Sequence, residues 1–319
     1  MKSAARDGES EVSGIRPAYG LGPTSPSLCR MRARRGAFIE GDLVQLTDPK
    51  GKLHTITLVA GKTFHTHRGG FAHDDLIGVE DGSTIVSSGG TVYLAQRPQL
   101  IDYVLGMPRG AAVIYPKDAA RIVSLLDLEP GATVIEAGVG SGALSCYLLT
   151  AIGSEGLLSS YERREDFAKI AQQNVATWFG SLPANWAVIV GDLAHQAPPV
   201  GDAVVLDMLA PWDCLDVAAA ALRPGGSLVC YVATTTQLSR TAEAIRNAGV
   251  WTEPRAEELM LRTWHLEGLS VRPDHRMNGH TGFLISSRRL APGVELPRRR
   301  TRPAPGAYGD DYVPADSSA

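Results

Sequence analysis

Four acidic side chains stand at the ends of four predicted strands, and their spacing indicates a ligand site. The apolar runs ATVIEAG, LLSSYE, WAVIVGD and AVVLDM carry, in that order, Glu136, Glu162, Asp192 and Asp207. Such runs, alternating with helical stretches, are typical of a parallel sheet with helices on both faces. Because these sheets bind ligands beyond the carboxyl ends of their strands, we expect the four carboxylates to converge on one crevice.

A glycine-rich turn follows the first of these strands. Residues 136–144 read EAGVGSGAL, in which Gly138 and Gly140 would let the backbone turn sharply and let a ligand approach the main chain. Together with Ala143 they also satisfy the G-x-G-x-x-G/A dinucleotide fingerprint, so a nicotinamide-dependent oxidoreductase is one alternative. Glu136, two residues before the first glycine, would attract an amine-bearing ligand and repel a pyrophosphate.

The second and third acids separate these two classes of ligand. Glu162 can accept hydrogen bonds from both hydroxyls of a ribose, and Asp192, followed by Leu193, can recognise the amino group of an adenine. An amine end, a ribose and an adenine are the parts of S-adenosylmethionine, which we therefore expect as the cofactor. The alternative for Glu162 is a surface acid at the start of a helix, where the helix dipole would favour it.

The fourth acid is the candidate catalytic group. Asp207 ends a strand that is buried on both sides in the predicted sheet, so its carboxylate should face the ligand crevice. Pro211 and Trp212 follow closely, and the flat indole ring would suit one wall of a pocket for a base.

Five segments of the chain resemble the bacterial and archaeal tRNA (adenine-58-N1)-methyltransferases, especially their actinobacterial members. The segments are EAGVGSGAL, LDMLAPW, VIYPKDAA, FHTHRGG and RPDHRMNGHTGFL, and the resemblance covers roughly residues 37–292. VIYPKD and LDMLAPW in this order are more specific than the glycine loop. The resemblance implies a class I methyltransferase fold, a homotetramer, and methylation of N1 of adenine-58 in the T-loop of tRNA.

The resemblance also implies roles for single positions. Asp207 matches the catalytic aspartate, which also borders the cofactor. Tyr115 and Tyr231 match tyrosines that line the pocket for the target adenine, although a place in the core is the alternative for Tyr231. The remaining matches are cofactor contacts: Ser141, Gly142, Ala143 and Leu144 at the methionine part, Glu162 at the ribose, and Phe167 and Asp192 at the adenine.

The implied reaction explains why one carboxylate suffices and no metal is expected. Adenine N1 carries a lone pair and needs no deprotonation before it attacks a methyl donor. A carboxylate that accepts a hydrogen bond from the exocyclic N6 amine stabilises the positive charge that develops on the ring, and Asp207 is our candidate. An adenine within the tRNA core must first leave its stack, so Tyr115, Tyr231 and Trp212 are candidate walls for the extruded base.

Composition and punctuation define the predicted domains. The 319 residues are 44% hydrophobic, with no apolar run long enough to cross a bilayer and no secretory signal, which predicts a cytoplasmic protein without membrane contact. Short strands between turn residues predict a small β domain over 37–100. Residues 101–290 are predicted to form the doubly wound, mostly parallel α/β domain, ending in two strands at WHLEGLSVRP and HTGFLISSRRL. Residues 1–36 and 291–319 are predicted to be a disordered extension and a flexible tail.

Charge and histidine content leave further alternatives open. The net charge of −3 argues weakly against nucleic-acid binding, while Arg-rich segments near both termini are either solvated or in contact with RNA. A non-catalytic tRNA-binding module is therefore another alternative. His65 and His67 alternate as zinc ligands would, but no further ligands follow at suitable spacing, so no metal is predicted. Lys117 is interpreted as a solvated lysine at a helix start, with a phosphate contact as the alternative.

Overall fold

The computed structural model describes residues 36–110 and 112–295. The predicted extension over 1–36 and tail over 291–319 therefore fall almost wholly outside the described residues, as do the Arg-rich segments at 30–35 and 298–302. Within the described ranges, no helix has the length and apolar character needed to span a bilayer.

The N-terminal part is antiparallel, as the short strands predicted. Strands β2, β1, β6 and β5 form one sheet in that order, and β3 pairs with β4 in a separate ribbon. Along β6, buried and exposed residues alternate, so that one face of the sheet packs on a core around Phe38, Leu46 and Tyr93. The bounds are β1 (Leu43–Thr47), β2 (Leu53–Thr57), β3 (Thr63–Thr66), β4 (Gly69–Ala72), β5 (Ser83–Val86) and β6 (Val92–Gln96).

The second part contains a seven-stranded sheet, and this confirms the predicted doubly wound fold. The strand order is β12-β15-β11-β10-β7-β8-β9, with parallel pairing from β11 to β9 and antiparallel pairing of β15 with both of its neighbours. The bounds are β7 (Thr133–Ala137), β8 (Leu157–Glu162), β9 (Trp186–Val190), β10 (Gly201–Asp207), β11 (Leu222–Val232), β12 (Arg255–Glu257) and β15 (Phe283–Arg288).

The segment WHLEGLSVRP was predicted to be one strand of the large sheet, and the structure differs. It forms a separate two-stranded hairpin of β13 (Trp264–Glu267) and β14 (Ser270–Pro273). The chain reverses at Gly268, whose φ of 53° lies in the left-handed region that glycine adopts readily. The alternating pattern of the segment suited a strand, but the glycine in its middle divides it in two.

Helices cover both faces of the large sheet because successive strand residues point to opposite sides. Val134 and Val205 belong to the core shared with the first four helices, whereas Ile135 and Val204 belong to the core shared with the last two. The bounds are α1 (Leu100–Gly106), α2 (Pro116–Leu125), α3 (Ala143–Ile152), α4 (Glu165–Phe179), α5 (Leu215–Ala221) and α6 (Thr235–Asn247).

The register of the parallel strands brings their carboxyl ends to one edge. Asp207 at the end of β10 is paired in register with Tyr231 on β11, and Leu206 is paired with Ala137 at the end of β7. The turn into α3 therefore begins beside Asp207. This edge holds the site.

Candidate active site

A cavity of about 760 Å³ opens at the carboxyl ends of the parallel strands. Its walls come from the turn after β7, the ends of β8 to β11, the start of α4, and the segments just before α2 and β15. The sequence-predicted residues that line it are Gly138, Gly140, Glu162, Phe167, Asp192, Leu193, Asp207, Tyr115 and Tyr231.

The glycine turn passes so close to β10 that it excludes a side chain. Gly138 has a φ of 86°, and a Cβ atom there would lie 1.8 Å from the carbonyl oxygen of Asp207. The turn is also anchored from behind, since Nδ2 of the buried Asn174 donates to the carbonyls of Pro108 and Ser141 at 2.8 and 2.9 Å. No sequence pattern marked Asn174, a single polar residue on the buried side of α4.

Glu162 is fixed at the end of β8 by two backbone donors. Its Oε2 accepts a hydrogen bond from Gly140 N and its Oε1 accepts one from Arg164 N, both at 3.0 Å. The residue is only 8% exposed and lines the cavity, so it differs from the alternative of a surface acid at a helix start. Because each carboxylate oxygen can accept more than one hydrogen bond, the group retains capacity for a ligand.

Phe167 and Asp192 form the wall beyond Glu162. The guanidinium of Arg164 lies 3.7 Å from the centroid of the Phe167 ring, and one oxygen of Asp192 accepts a hydrogen bond from Ala194 N at 3.1 Å. The other oxygen of Asp192 is 3.5 Å from Nη1 of Arg163. An aromatic face and a carboxylate thus stand on the side of the cavity predicted to hold an adenine.

Asp207 is partly buried and faces the cavity. The pKa of its carboxyl is raised from an ordinary value of 3.8 to about 7, mainly by burial and to a smaller extent by repulsion from Glu162. Among the described residues we find no hydrogen bond donated to this carboxyl group. It is therefore available to a donor on a bound molecule.

Two tyrosines, Tyr115 and Tyr231, also line the cavity that Asp207 faces. Tyr231 neighbours it on β11, and burial raises the pKa of the Tyr231 phenol above its ordinary range. Tyr115 precedes α2 and is 37% exposed. The phenol of Tyr231 donates a hydrogen bond to the carbonyl of Thr281 at 2.8 Å. Tyr231 lines the cavity and is also largely buried, so it combines the predicted place at the pocket wall with the alternative of a place in the core.

The cavity residues that the sequence analysis missed include two polar ones, Thr281 and Gln237. Thr281 lines the cavity beside Tyr231, and Gln237 lines it beside Leu209, whose carbonyl accepts a hydrogen bond from Gln237 Nε2 at 2.9 Å. Gln237 also forms the capping box of α6 with Thr234, a pattern visible in the sequence as T-x-x-Q. Thr281 carried no such signal.

Glu136 lies behind the cavity. It is fully buried, and its Oε2 accepts hydrogen bonds from Ser145 and Ser160 at 2.7 and 2.6 Å. Desolvation by burial raises the pKa of this carboxyl to about 7. The group links β7 to α3 and β8, but its Oε1 has no hydrogen-bond partner among the described residues, so contact with an amine-bearing ligand stays a prediction.

Further predicted residues also lie outside the cavity walls. The turn residues Ser141 to Leu144 are buried at the start of α3, and their contact with a methionine group stays a prediction. Trp212 packs on the core beneath α6, with the Arg240 guanidinium 4.0 Å from its ring centroid, and is not a cavity wall. In the described part of the chain, no cluster of three or more His, Cys, Asp or Glu side chains is arranged to hold a metal ion.

Comparison with known proteins gives two family matches. A family model described as TrmI-like N-terminal matches residues 36–85, and one described as tRNA methyltransferase complex GCD14 subunit matches residues 90–271. The chain is 35% identical over 244 residues to the tRNA (adenine(58)-N(1))-methyltransferase TrmI of Thermus thermophilus, covering 76% of this chain and 95% of that one. It is 29% identical over 240 residues to the tRNA (adenine(57)-N(1)/adenine(58)-N(1))-methyltransferase TrmI of Methanocaldococcus jannaschii, covering 67% and 84%.

Two solved structures superpose on about four-fifths of this chain. A structure from Thermotoga maritima, described as a SAM-dependent O-methyltransferase, superposes with a TM-score of 0.76 at 30% identity, over 81% of this chain and 97% of that one. The tRNA (m1A58) methyltransferase TrmI of Aquifex aeolicus superposes with a TM-score of 0.70 at 27% identity, over 80% and 99%.

Proposed function

This chain belongs to the tRNA (adenine-58-N1)-methyltransferase family, and from that premise we propose that it transfers a methyl group from S-adenosylmethionine to N1 of adenine-58 in tRNA. The observation that carries the proposal is the placement of Asp207. Its carboxyl faces one cavity between the glycine turn with Glu162 and the two tyrosines. The relatives that match most of the chain are methyltransferases, so neither the oxidoreductase nor the non-catalytic module finds support.

The residues of the cavity fit the proposed cofactor. S-adenosylmethionine supplies an electrophilic methyl group on a sulfonium centre when bound. Gly138 lets the turn pass close to β10 at the cavity wall. Glu162 presents a buried carboxylate to ribose hydroxyls, and Asp192 with Phe167 offers an acceptor and an aromatic face to an adenine. These are the residues that we assign to hold it.

Asp207 provides the chemistry of the chain itself. As a carboxylate it accepts a hydrogen bond from N6 of the target adenine, which raises electron density at N1 and stabilises the cation that forms on methylation. A pKa of about 7 lies near the operating pH, where a carboxyl group can both accept and release a proton. Tyr115 and Tyr231 hold the plane of the extruded base beside this carboxylate.

We further propose that the protein acts as a homotetramer in the cytoplasm. Support comes from the hairpin of β13 and β14, which extends from the domain with Trp264, Leu266 and Val271 more than half exposed and Leu269 fully exposed. Exposed apolar groups on this scale are typical of protein interfaces. Light scattering coupled to size-exclusion chromatography tests the stoichiometry, and a monomer at micromolar concentration would contradict it.

A methylation assay on an unmodified tRNA transcript tests the reaction. We expect incorporation of labelled methyl and a primer-extension stop at adenine-58, because N1-methyladenine cannot form a Watson–Crick pair. A transcript with guanine at that position is the matched control and should accept no label there. Salt-sensitive tRNA binding without methyl incorporation would favour the non-catalytic module, and tight NAD binding without S-adenosylmethionine binding would favour the oxidoreductase.

A further inference from the structure

Thr281 and Gly282 pack directly against Tyr231 at the cavity. The carbonyl of Thr281 accepts the hydrogen bond from the Tyr231 phenol at 2.8 Å. A Cβ atom at Gly282 would lie 2.4 Å from Cζ of Tyr231, so the glycine backbone occupies the space beside the ring. The phenol group and one side of the ring are therefore both fixed by the two residues that precede β15.

The side chain of Thr281 is fixed in turn by the start of α2. Its hydroxyl donates to Oδ2 of Asp118 at 2.7 Å and accepts from Nζ of Lys117 at 2.6 Å, while Nζ also lies 2.7 Å from Oδ1 of Asp118. Asp118 is fully buried and the side chain of Lys117 is only 11% exposed. This geometry corrects the interpretation of Lys117 as a solvated lysine.

The same helix start holds the other tyrosine. Tyr115 is the residue that caps α2, and its carbonyl accepts hydrogen bonds from the backbone N–H groups of Asp118 and Ala119, each at 2.9 Å. Tyr231 lies on β11, a strand of the large sheet, and not on this helix. The hydrogen-bonded group of Lys117, Asp118 and Thr281 therefore links the helix start that follows Tyr115 to the segment whose backbone contacts Tyr231, across more than 160 residues of sequence.

We propose that Lys117, Asp118 and Thr281 are positioning residues for methyl transfer, because they fix Tyr115 and Tyr231 on the two sides of the target base. The inference rests on the function proposed for this cavity. An ion pair shielded from water is stabilising only when its geometry is good and its remaining hydrogen-bonding atoms are satisfied. The Thr281 hydroxyl meets that need and at the same time connects the pair to a wall of the cavity.

Thr281→Val tests the proposal, since valine has nearly the same shape but lacks the hydroxyl. We expect the single-turnover rate of methyl transfer to fall about 10-fold to 100-fold, the loss typical of misplacing groups by about 1 Å. The dissociation constant for S-adenosylmethionine, measured calorimetrically, should stay within about twofold, because none of the three residues belongs to the cofactor side. Thr281→Ser keeps the hydroxyl and should recover most of the rate.

A second variant tests whether the two side chains act as one network. Lys117→Met should slow methyl transfer by a similar factor, and the double variant with Thr281→Val should be little slower than either single variant, because both remove one network. A wild-type rate in Thr281→Val, an equal loss in Thr281→Ser, or fully additive losses would overturn the proposal.

A crystal structure of Thr281→Val separates this inference from the proposed function. A displaced Tyr231 ring supports the positioning role even if the wild-type chain methylates no tRNA, a result that would refute the function alone. An unmoved ring would refute the positioning role, whatever the activity of the wild type.

Discussion

Asp207→Asn should make the protein more stable while it removes most of the activity. The wild-type carboxyl is partly buried near Glu162, and its pKa is raised from 3.8 to about 7. A carboxyl group whose pKa is raised on folding binds its proton more tightly in the folded state. Ionisation therefore costs stability, and an amide of nearly the same shape removes that cost.

The size of the effect follows from the same values. A rise from 3.8 to about 7 corresponds to about 4 kcal/mol at high pH, and relaxation around a partly buried group should reduce this to about 2 kcal/mol. The cost is absent below about pH 4, grows as the pH rises, and is complete above about pH 7. Stability of the wild type should therefore decrease relative to Asp207→Asn across that window.

Thermal unfolding at about pH 5 and about pH 8 measures this difference. We expect the melting temperature of Asp207→Asn to exceed that of the wild type by roughly 4 °C at the higher pH, and by clearly less at the lower. Asp216→Asn, on the exposed face of α5, is the matched control and should leave both values unchanged. Two outcomes would contradict the prediction that ionisation of Asp207 destabilises the fold. One is a variant no more stable than the wild type at about pH 8, and the other is a stability difference that does not shrink as the pH is lowered.

Three further predictions concern the cavity. If the Asp207 carboxylate accepts the hydrogen bond from N6, kcat/KM for tRNA should rise with pH through about 7, and a flat profile would exclude this role. Gly138→Ala should abolish measurable S-adenosylmethionine binding in a calorimetric titration, because its Cβ would overlap the Asp207 carbonyl. The control is Gly131→Ala, which is also at positive φ but has open space around it and should cost only about 1 kcal/mol of stability. Glu162→Gln should weaken that binding about 10-fold to 100-fold, and equal binding by Glu162→Gln and the exposed control Glu165→Gln would contradict the ribose assignment.

The alternating apolar runs were sufficient to predict the fold class and the convergence of several acids. The carboxyl ends of neighbouring parallel strands meet by geometry alone, so a residue at a strand end can be placed from sequence. Glu162, Asp192 and Asp207 were placed correctly at the cavity in this way. Glu136 lies behind the cavity wall, because it stands two residues before the first glycine and still within β7, where alternation turns its side chain toward α3.

The contacts that join distant segments could not be predicted. Thr281 meets Lys117 and Asp118 across more than 160 residues of sequence, and nothing local to any of the three indicates the others. Trp212 was expected to form a wall of the pocket for the target base because it closely follows β10, which ends at Asp207. The short helical turn after Ala210 instead directs its ring under Arg240. Pattern and spacing report local structure, whereas these positions depend on the packing of whole elements.

The acids in and behind the cavity wall differ in how their hydrogen-bonding capacity is used. Asp118 is paired with Lys117 and Thr281, and Glu162 accepts two backbone N–H groups. For Asp207 we find no donor among the described residues, although burial makes an unpaired carboxyl costly. A group that must accept a hydrogen bond from each incoming base cannot be satisfied beforehand by the protein, and we propose that this is why Asp207 has no donor among the described residues.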